Sequence, residues 1–131
     1  MTHRETVVLL VEGSSTARQG LAKIFRDKGY QVLEASDNLT AIHHIRNHHD
    51  FNVVLLDLDM PAWKLVAKQV RETIPDAHVL SMVGHSSIGD VGTAESLGAH
   101  RHFLKPLDFS YLHQSIQSLS ADQSLRCEYA D

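Results

Sequence analysis

Apolar residues along this chain fall into two patterns, short unbroken runs and stripes at helical spacing. The runs are Thr6–Val11, Gln31–Ala35, the stretch from Asn52 to Pro61, His78–Val83 and Arg101–Leu104. Short runs rich in Val and Leu, bounded by Gly or Pro, predict strands, and the first and third read as buried on both faces as in a parallel sheet. Between them lie the stripes. Ser14, Ser15 and Thr16 offer N-caps to a first helix carrying Ala17, Leu21, Ile24, Phe25 and Lys28, with Gly29 as its stop. Asp37 or Asn38 caps a second, with Leu39, Ile42 and Ile45 in phase toward about His49. Leu65, Val66 and Val70 place a third over Trp63–Thr73, before Pro75. Ser86–Leu97 predicts a fourth through Ile88, Val91, Ala94 and Leu97. Gly89 and Gly92 each cost it roughly 1 kcal/mol relative to alanine, so it is expected to be short or mobile. Asp108 or Ser110 opens the fifth, with Phe109, Leu112, Ile116 and Leu119 in register. Residues 121–131 carry no apolar pattern and read as a tail or the start of a linker.

Strands alternating with helices imply an α/β fold, doubly wound, with a parallel sheet, helices on both faces and right-handed crossovers. Open sheets of this kind bind ligands at the carboxyl ends of their strands. The first, third and fifth strands end on Glu12, Asp57 and Lys105. If these strands are neighbours, the three side chains converge at one edge. Alternation alone does not give the strand order.

Composition narrows the class without changing the fold. The hydrophobic fraction of 43% and charged fraction of 21% are ordinary for a soluble domain. A net charge of −4 argues against a general nucleic-acid surface. No apolar run approaches the roughly 20 residues of a membrane span, and the N-terminus lacks a signal-peptide plan, so a cytoplasmic location is expected. The single cysteine, Cys127, allows no internal disulfide and has no nearby partner for chemistry.

Three segments, VVLLVEG at 7–13, LLDLDMP at 55–61 and LGAHRHFLKP at 97–106, together with their spacing, resemble the receiver domains of two-component response regulators. The resemblance covers roughly residues 5–120. It implies a flavodoxin-like fold, a five-stranded parallel sheet in the order 2-1-3-4-5 with five helices. It implies a phosphorelay signalling module rather than an enzyme. Asp57 would be the phosphoacceptor, taking its phosphoryl group from a histidine kinase or phosphotransfer protein. Lys105 would contact a phosphoryl oxygen. Glu12 matches the first of two acidic residues that hold Mg²⁺. An output domain or a homodimer would use the face of helix 4, strand 5 and helix 5.

The sequence also departs from that pattern. The second acidic position is Gly13. The Ser or Thr ending the fourth strand is Val83, which cannot donate a hydrogen bond. The aromatic switch position falls on His102, with Phe103 beside it and facing the other way. The loop after Pro61 goes straight to Ala62 and Trp63 and is about two residues short. Metal binding and switching are therefore expected to be weakened. One compensation is a shifted metal site of Glu12, Asp57 and Asp59, set against Asp59 as a solvated turn residue.

Other readings compete. A pseudo-receiver acting by protein binding alone is the alternative, and a small metal-dependent hydrolase built on Glu12, Asp57 and Asp59 is a third. The chain has ten histidines. His44 and His48 lie four apart on the second helix, a zinc-compatible spacing that lacks a third ligand, so a solvated face is the better reading. His85 is a candidate for the site mouth, and His102 for a pH-sensitive stand-in at the switch position. Ser14–Thr16 lack the glycines and lysine of a nucleotide loop and read as a cap.

Overall fold

The computed structural model describes residues 6–130, with side chains through Leu119. Its elements in chain order are β1 Val7–Val11, α1 Ser15–Asp27, β2 Gln31–Ala35, α2 Asn38–Asn47, β3 Val53–Asp57, α3 Trp63–Thr73, β4 His78–Val83, a 3₁₀ segment His85–Asp90, α4 Val91–Ser96, β5 Ala99–Leu104 and α5 Phe109–Ala130. All strand pairs are parallel, and the sheet order is β2-β1-β3-β4-β5. This is the doubly wound α/β fold with the strand order that the resemblance implies.

Strand side chains alternate between faces, so each strand feeds two cores. Leu9, Val11, Val54, Leu56, Val79 and Val83 pack with Ile45 of α2 and with Trp63, Val66 and Val70 of α3. Val8, Leu10, Leu55, Leu80 and Met82 pack with Phe25 of α1 and with Leu112 and Ile116 of α5. The central strand β3 is buried at every position, Asp57 included. Phe103 joins the second core, while His102 faces the other way.

Caps fall where short polar side chains allow them. Ser14 Oγ accepts from Ala17 N at 3.3 Å, Asp37 Oδ1 from Thr40 N at 2.8 Å and Asp108 Oδ1 from Tyr111 N at 3.2 Å. Helix α3 starts differently. Ala62 has φ 62° and ψ 23°, a left-handed conformation, and gives no side-chain cap. The shortened loop after Pro61 thus turns through a non-glycine residue.

Three expectations need correction. The fourth helix is not continuous over Ser86–Leu97. It is a 3₁₀ segment followed by six residues of α-helix, because Gly89 and Gly92 resist a long one. The stripes of α1, α2 and α3 hold at Phe25, Ile45, Val66 and Val70, which are buried, but Ile24, Leu39 and Leu65 are exposed and Ala22, Ala41 and Ala67 are buried instead. Helix α5 continues to Ala130, beyond its last apolar register position at Leu119. Whether 121–131, including Cys127, forms a tail or a linker lies outside the side chains described. Among the described residues no helix is long and apolar enough to cross a membrane.

Candidate functional site

Parallel order brings the ends of β1, β3 and β5 to one edge of the sheet, and Glu12, Asp57 and Lys105 meet there. Glu12 and Asp57 are each 2% exposed. Lys105 is held at this edge by its backbone N, which donates to Val83 O at 2.8 Å. The Lys105–Pro106 bond that follows is cis. The ammonium lies 2.8 Å from Asp57 Oδ1, 3.0 Å from Asp59 Oδ2 and 3.4 Å from Glu12 Oε1.

The Asp57 carboxylate is fixed on both oxygens. Oδ1 accepts from Lys105 Nζ and from Asp59 N at 2.9 Å, and Oδ2 accepts from Gly13 N at 3.3 Å. These bonds fix the orientation of a buried carboxylate at the end of β3. Gly13 leaves space beside it: a Cβ at residue 13 would stand 3.4 Å from Met60 Cγ and 3.9 Å from Asp57 Oδ2. Glu12 Oε2 accepts from Ser14 N at 3.0 Å, and its carbonyl accepts from Arg18 at 3.0 Å.

Electrostatics follow from this crowding. Burial pushes the Glu12 carboxyl above its usual range; the Ser14 N–H pulls it back, and the adjoining Asp57 adds to the rise. Burial alone would lower the Lys105 ammonium. Its bonds to Asp57 and Asp59, and the charges of Asp57 and Glu12, outweigh burial and hold it well above the usual lysine range. Burial would likewise raise Asp59, but bonds from Ser87 and Lys105, with Gly84 behind them, hold it below the usual carboxylate range.

Asp59 is not placed as the shifted metal site requires. Its carboxylate turns toward Lys105, the Ser87 hydroxyl and Gly84 N, the last at 3.4 Å. It is also more than a solvated turn residue, since three donors hold it. Among the described residues no group of three or more acidic, His or Cys side chains is arranged to hold a metal ion. The acidic pair that does meet is Glu12 and Asp57. The Glu12 carboxyl, raised partly by Asp57, shows two crowded carboxylates that suit a hard cation only if water or phosphoryl oxygens complete its shell.

The structure places Val83 and His102, the switch positions that the resemblance implies, on β4 and β5. Val83 is 2% exposed and packs into the apolar core. His102 Nδ1 makes a hydrogen bond with the Ser81 hydroxyl, two residues upstream of Val83, and its Nε2 faces Glu95 of α4 at 3.4 Å without hydrogen-bond alignment. His85 is exposed at the start of the 3₁₀ segment. His44 Nε2 bonds Glu34 O at 3.0 Å, and α2 ends before His48, so this pair forms no metal pair on a continuous helix. Gly84 and Ser87 belong to the site and were not read from the sequence. By sequence Gly84 only bounds the fourth strand, and Ser87 falls inside the helix expected over Ser86–Leu97.

A buried carboxylate at the end of the central strand of a doubly wound sheet, bonded to a lysine just after the fifth strand, defines a charged site at the carboxyl edge of the sheet. The response regulator receiver domain profile matches residues 8–117, and the chain belongs to that family. Receiver domains are signalling domains of two-component phosphorelays. The chain is 30% identical over 103 residues to the aerobic respiration control protein ArcA of Escherichia coli K12, covering 77% of this chain and 42% of that protein. It therefore spans about two-fifths of that relative's length. The fold matches a CheY-like receiver domain protein from Methanospirillum hungatei JF-1 with a TM-score of 0.85 and 19% identity, over 94% of this chain and 99% of that one. It also matches the receiver domain of a sensor histidine kinase from Pseudomonas aeruginosa PAO1, with a TM-score of 0.77 and 18% identity over 88% and 97% of the two chains. That structure has a magnesium ion coordinated in its active site cleft.

Proposed function

We propose that Asp57 accepts a phosphoryl group from a phosphohistidine on a sensor histidine kinase or phosphotransfer protein. One Asp57 oxygen forms the new P–O bond, the N–P bond breaks, and the imidazole nitrogen keeps the electron pair. Lys105 pairs with a phosphoryl oxygen. The observation that carries this reading is the 2.8 Å bond between Lys105 Nζ and the buried Asp57 Oδ1 at the end of β3. Glu12 and Asp57 would hold Mg²⁺ weakly, the ion supplying neutralisation of the transferring charge. Asp59 is assigned no metal role. With Val83 in the place of a hydroxyl donor and His102 bonded to Ser81, readout along β4 and β5 is blunted. Signalling would pass through the face of α4, β5 and α5, where Leu104 and Tyr111 are exposed, to an output domain or a second copy. A cytoplasmic location suits this role.

A phosphorylation-independent pseudo-receiver is the second reading. It is favoured by the Lys105 ammonium, which is shared among Glu12, Asp57 and Asp59 and offsets part of their charge. Incubation with acetyl phosphate and Mg²⁺, followed by intact-mass measurement, separates the two. An adduct present in the native chain and lost in Asp57→Ala supports the first reading. Absence of an adduct under conditions that phosphorylate a control receiver supports the second.

A further inference from the structure

We infer that Asp59 is a resident anion: its carboxylate fills a cradle formed by Lys105 Nζ, the Gly84 N–H and the Ser87 hydroxyl, which an arriving phosphoryl group must take over. The inference rests on Asp57 as phosphoacceptor and adds a control on it. Three hydrogen-bond donors, one of them cationic, converge on this one carboxylate. Lys105 Nζ approaches Oδ2 at 3.0 Å, Gly84 N approaches Oδ1 at 3.4 Å, and Ser87 Oγ donates to Oδ1. Convergent donors of this kind are what an oxyanion of phosphate needs. The same ammonium touches Asp57 Oδ1 at 2.8 Å, so the cradle is one cation away from the proposed nucleophile.

Gly84 shows that the cradle is shaped for a tenant. A Cβ built on residue 84 would lie 2.9 Å from Asp59 Oδ2, 3.3 Å from Oδ1 and 3.5 Å from Cγ. These are its three nearest neighbours, all from Asp59. The backbone there has φ −86° and ψ 170°, which any residue adopts. Glycine at 84 is thus not required by the turn; it makes room for the Asp59 carboxylate. While that carboxylate stays, the ammonium is shared between two aspartates, and an incoming anion meets a like charge at the donors it would use. Displacement of Asp59 becomes a step in loading the site.

Asp59→Ala and Asp59→Asn test this; Gly84→Ala does not, because its methyl would stand in the space the phosphate must enter. Inorganic phosphate is titrated into the full chain and followed by the amide shifts of residue 84 and Lys105. The same titration is run on Asp59→Ala, which empties the cradle, and Asp59→Asn, which removes the charge but keeps its oxygen in place. Asp59→Ala is expected to tighten phosphate binding by about tenfold, the worth of one charge-assisted hydrogen bond. Asp59→Ala should exceed Asp59→Asn by several-fold. Affinity in Asp59→Ala within twofold of the native chain would overturn the inference. Equal affinities for Asp59→Ala and Asp59→Asn would overturn it as well, since charge alone would then account for the effect. Adduct formation from acetyl phosphate is followed by mass in parallel. Tighter phosphate binding without an adduct in any variant removes Asp57 as acceptor and leaves the cradle standing. An adduct in all variants with unchanged phosphate affinity does the reverse.

Discussion

At the scale of single residues, Lys105 is the group on which the site's charge balance depends. It meets Glu12, Asp57 and Asp59, and its side chain is 27% exposed. Removing it leaves two buried carboxylates facing each other. Lys105→Met is therefore expected to lower stability by about 2–3 kcal/mol at neutral pH, below the full cost of breaking a buried pair because the lysine is partly exposed. Urea denaturation measures this. The pH dependence has a definite sign. The raised Lys105 pKa means its stabilisation is complete below the ordinary value of 10.5 and is lost as pH rises through the folded-state value. The depressed Asp59 pKa means its part is present above 3.8 and is lost as pH falls through the lowered value. The gap between the native chain and Lys105→Met should therefore narrow below pH 3.8. An unchanged gap there would remove the carboxylates from the explanation. Gly13 offers the complementary change. A side chain there starts 3.9 Å from Asp57 Oδ2 with no backbone in its way. Gly13→Asp is expected to strengthen Mg²⁺ binding by about tenfold by adding a hard oxygen ligand to a two-carboxylate set. Trp63, buried beside Met60 in the same core, gives a fluorescence readout, and no gain over the native titration would count against a metal at Glu12 and Asp57.

At the scale of elements, the left-handed start of α3 is an identifiable weak point. Alanine at φ 62° is strained by roughly 1 kcal/mol or more, while glycine there adds unfolded-state entropy of somewhat less. Ala62→Gly should therefore stabilise the chain by about 0.5 kcal/mol, seen as a higher urea midpoint with an unchanged slope. A lower midpoint would show that the loop is not under strain. The element scale also shows what the sequence could tell. Strand limits at Gln31–Ala35 and His78–Val83 and helix limits at Trp63–Thr73 were legible, because runs, caps and prolines mark them locally. Helix faces were less so. Apolarity ranks Leu39 and Leu65 above Ala41 and Ala67, yet close packing against the sheet selects the small residues and leaves the leucines outside. In the site, Glu12, Asp57 and Lys105 were legible because a strand's end positions its last side chain. The orientation of Asp59 was not. It depends on Gly84 and Ser87, 25 and 28 residues away along the chain, which meet it only in the folded molecule.

At the scale of the whole molecule, a signal from Asp57 on the proposed reading would cross from β3 to the α4–β5–α5 face through β4. The carrier that the proposed reading would place at the strand end is residue 83, a valine sealed in the core between β4, α3 and α4. The polar link that does cross from β4 to β5 lies two residues back, where the Ser81 hydroxyl meets His102 and His102 faces Glu95 of α4. Ser81 is fully buried and pairs in register with His102, so this link is set by the sheet, and its hydrogen bonds and ion pair run to Arg101 O and Glu95 rather than to the Lys105 cluster. Loading the site should therefore be felt locally and fade before β5. With beryllofluoride as a phosphoryl mimic, amide shifts are expected at 58–60, 84–88 and Lys105, with small changes over 99–103. Val83→Thr supplies the missing hydroxyl and is expected to extend those shifts into β5. Burying that hydroxyl without a partner should cost about 1–2 kcal/mol in the unloaded chain. Large β5 shifts in the native chain would show that Ser81 and His102 carry the signal by another route. Their loss in Ser81→Ala would then locate that route in the buried pair rather than at the strand end.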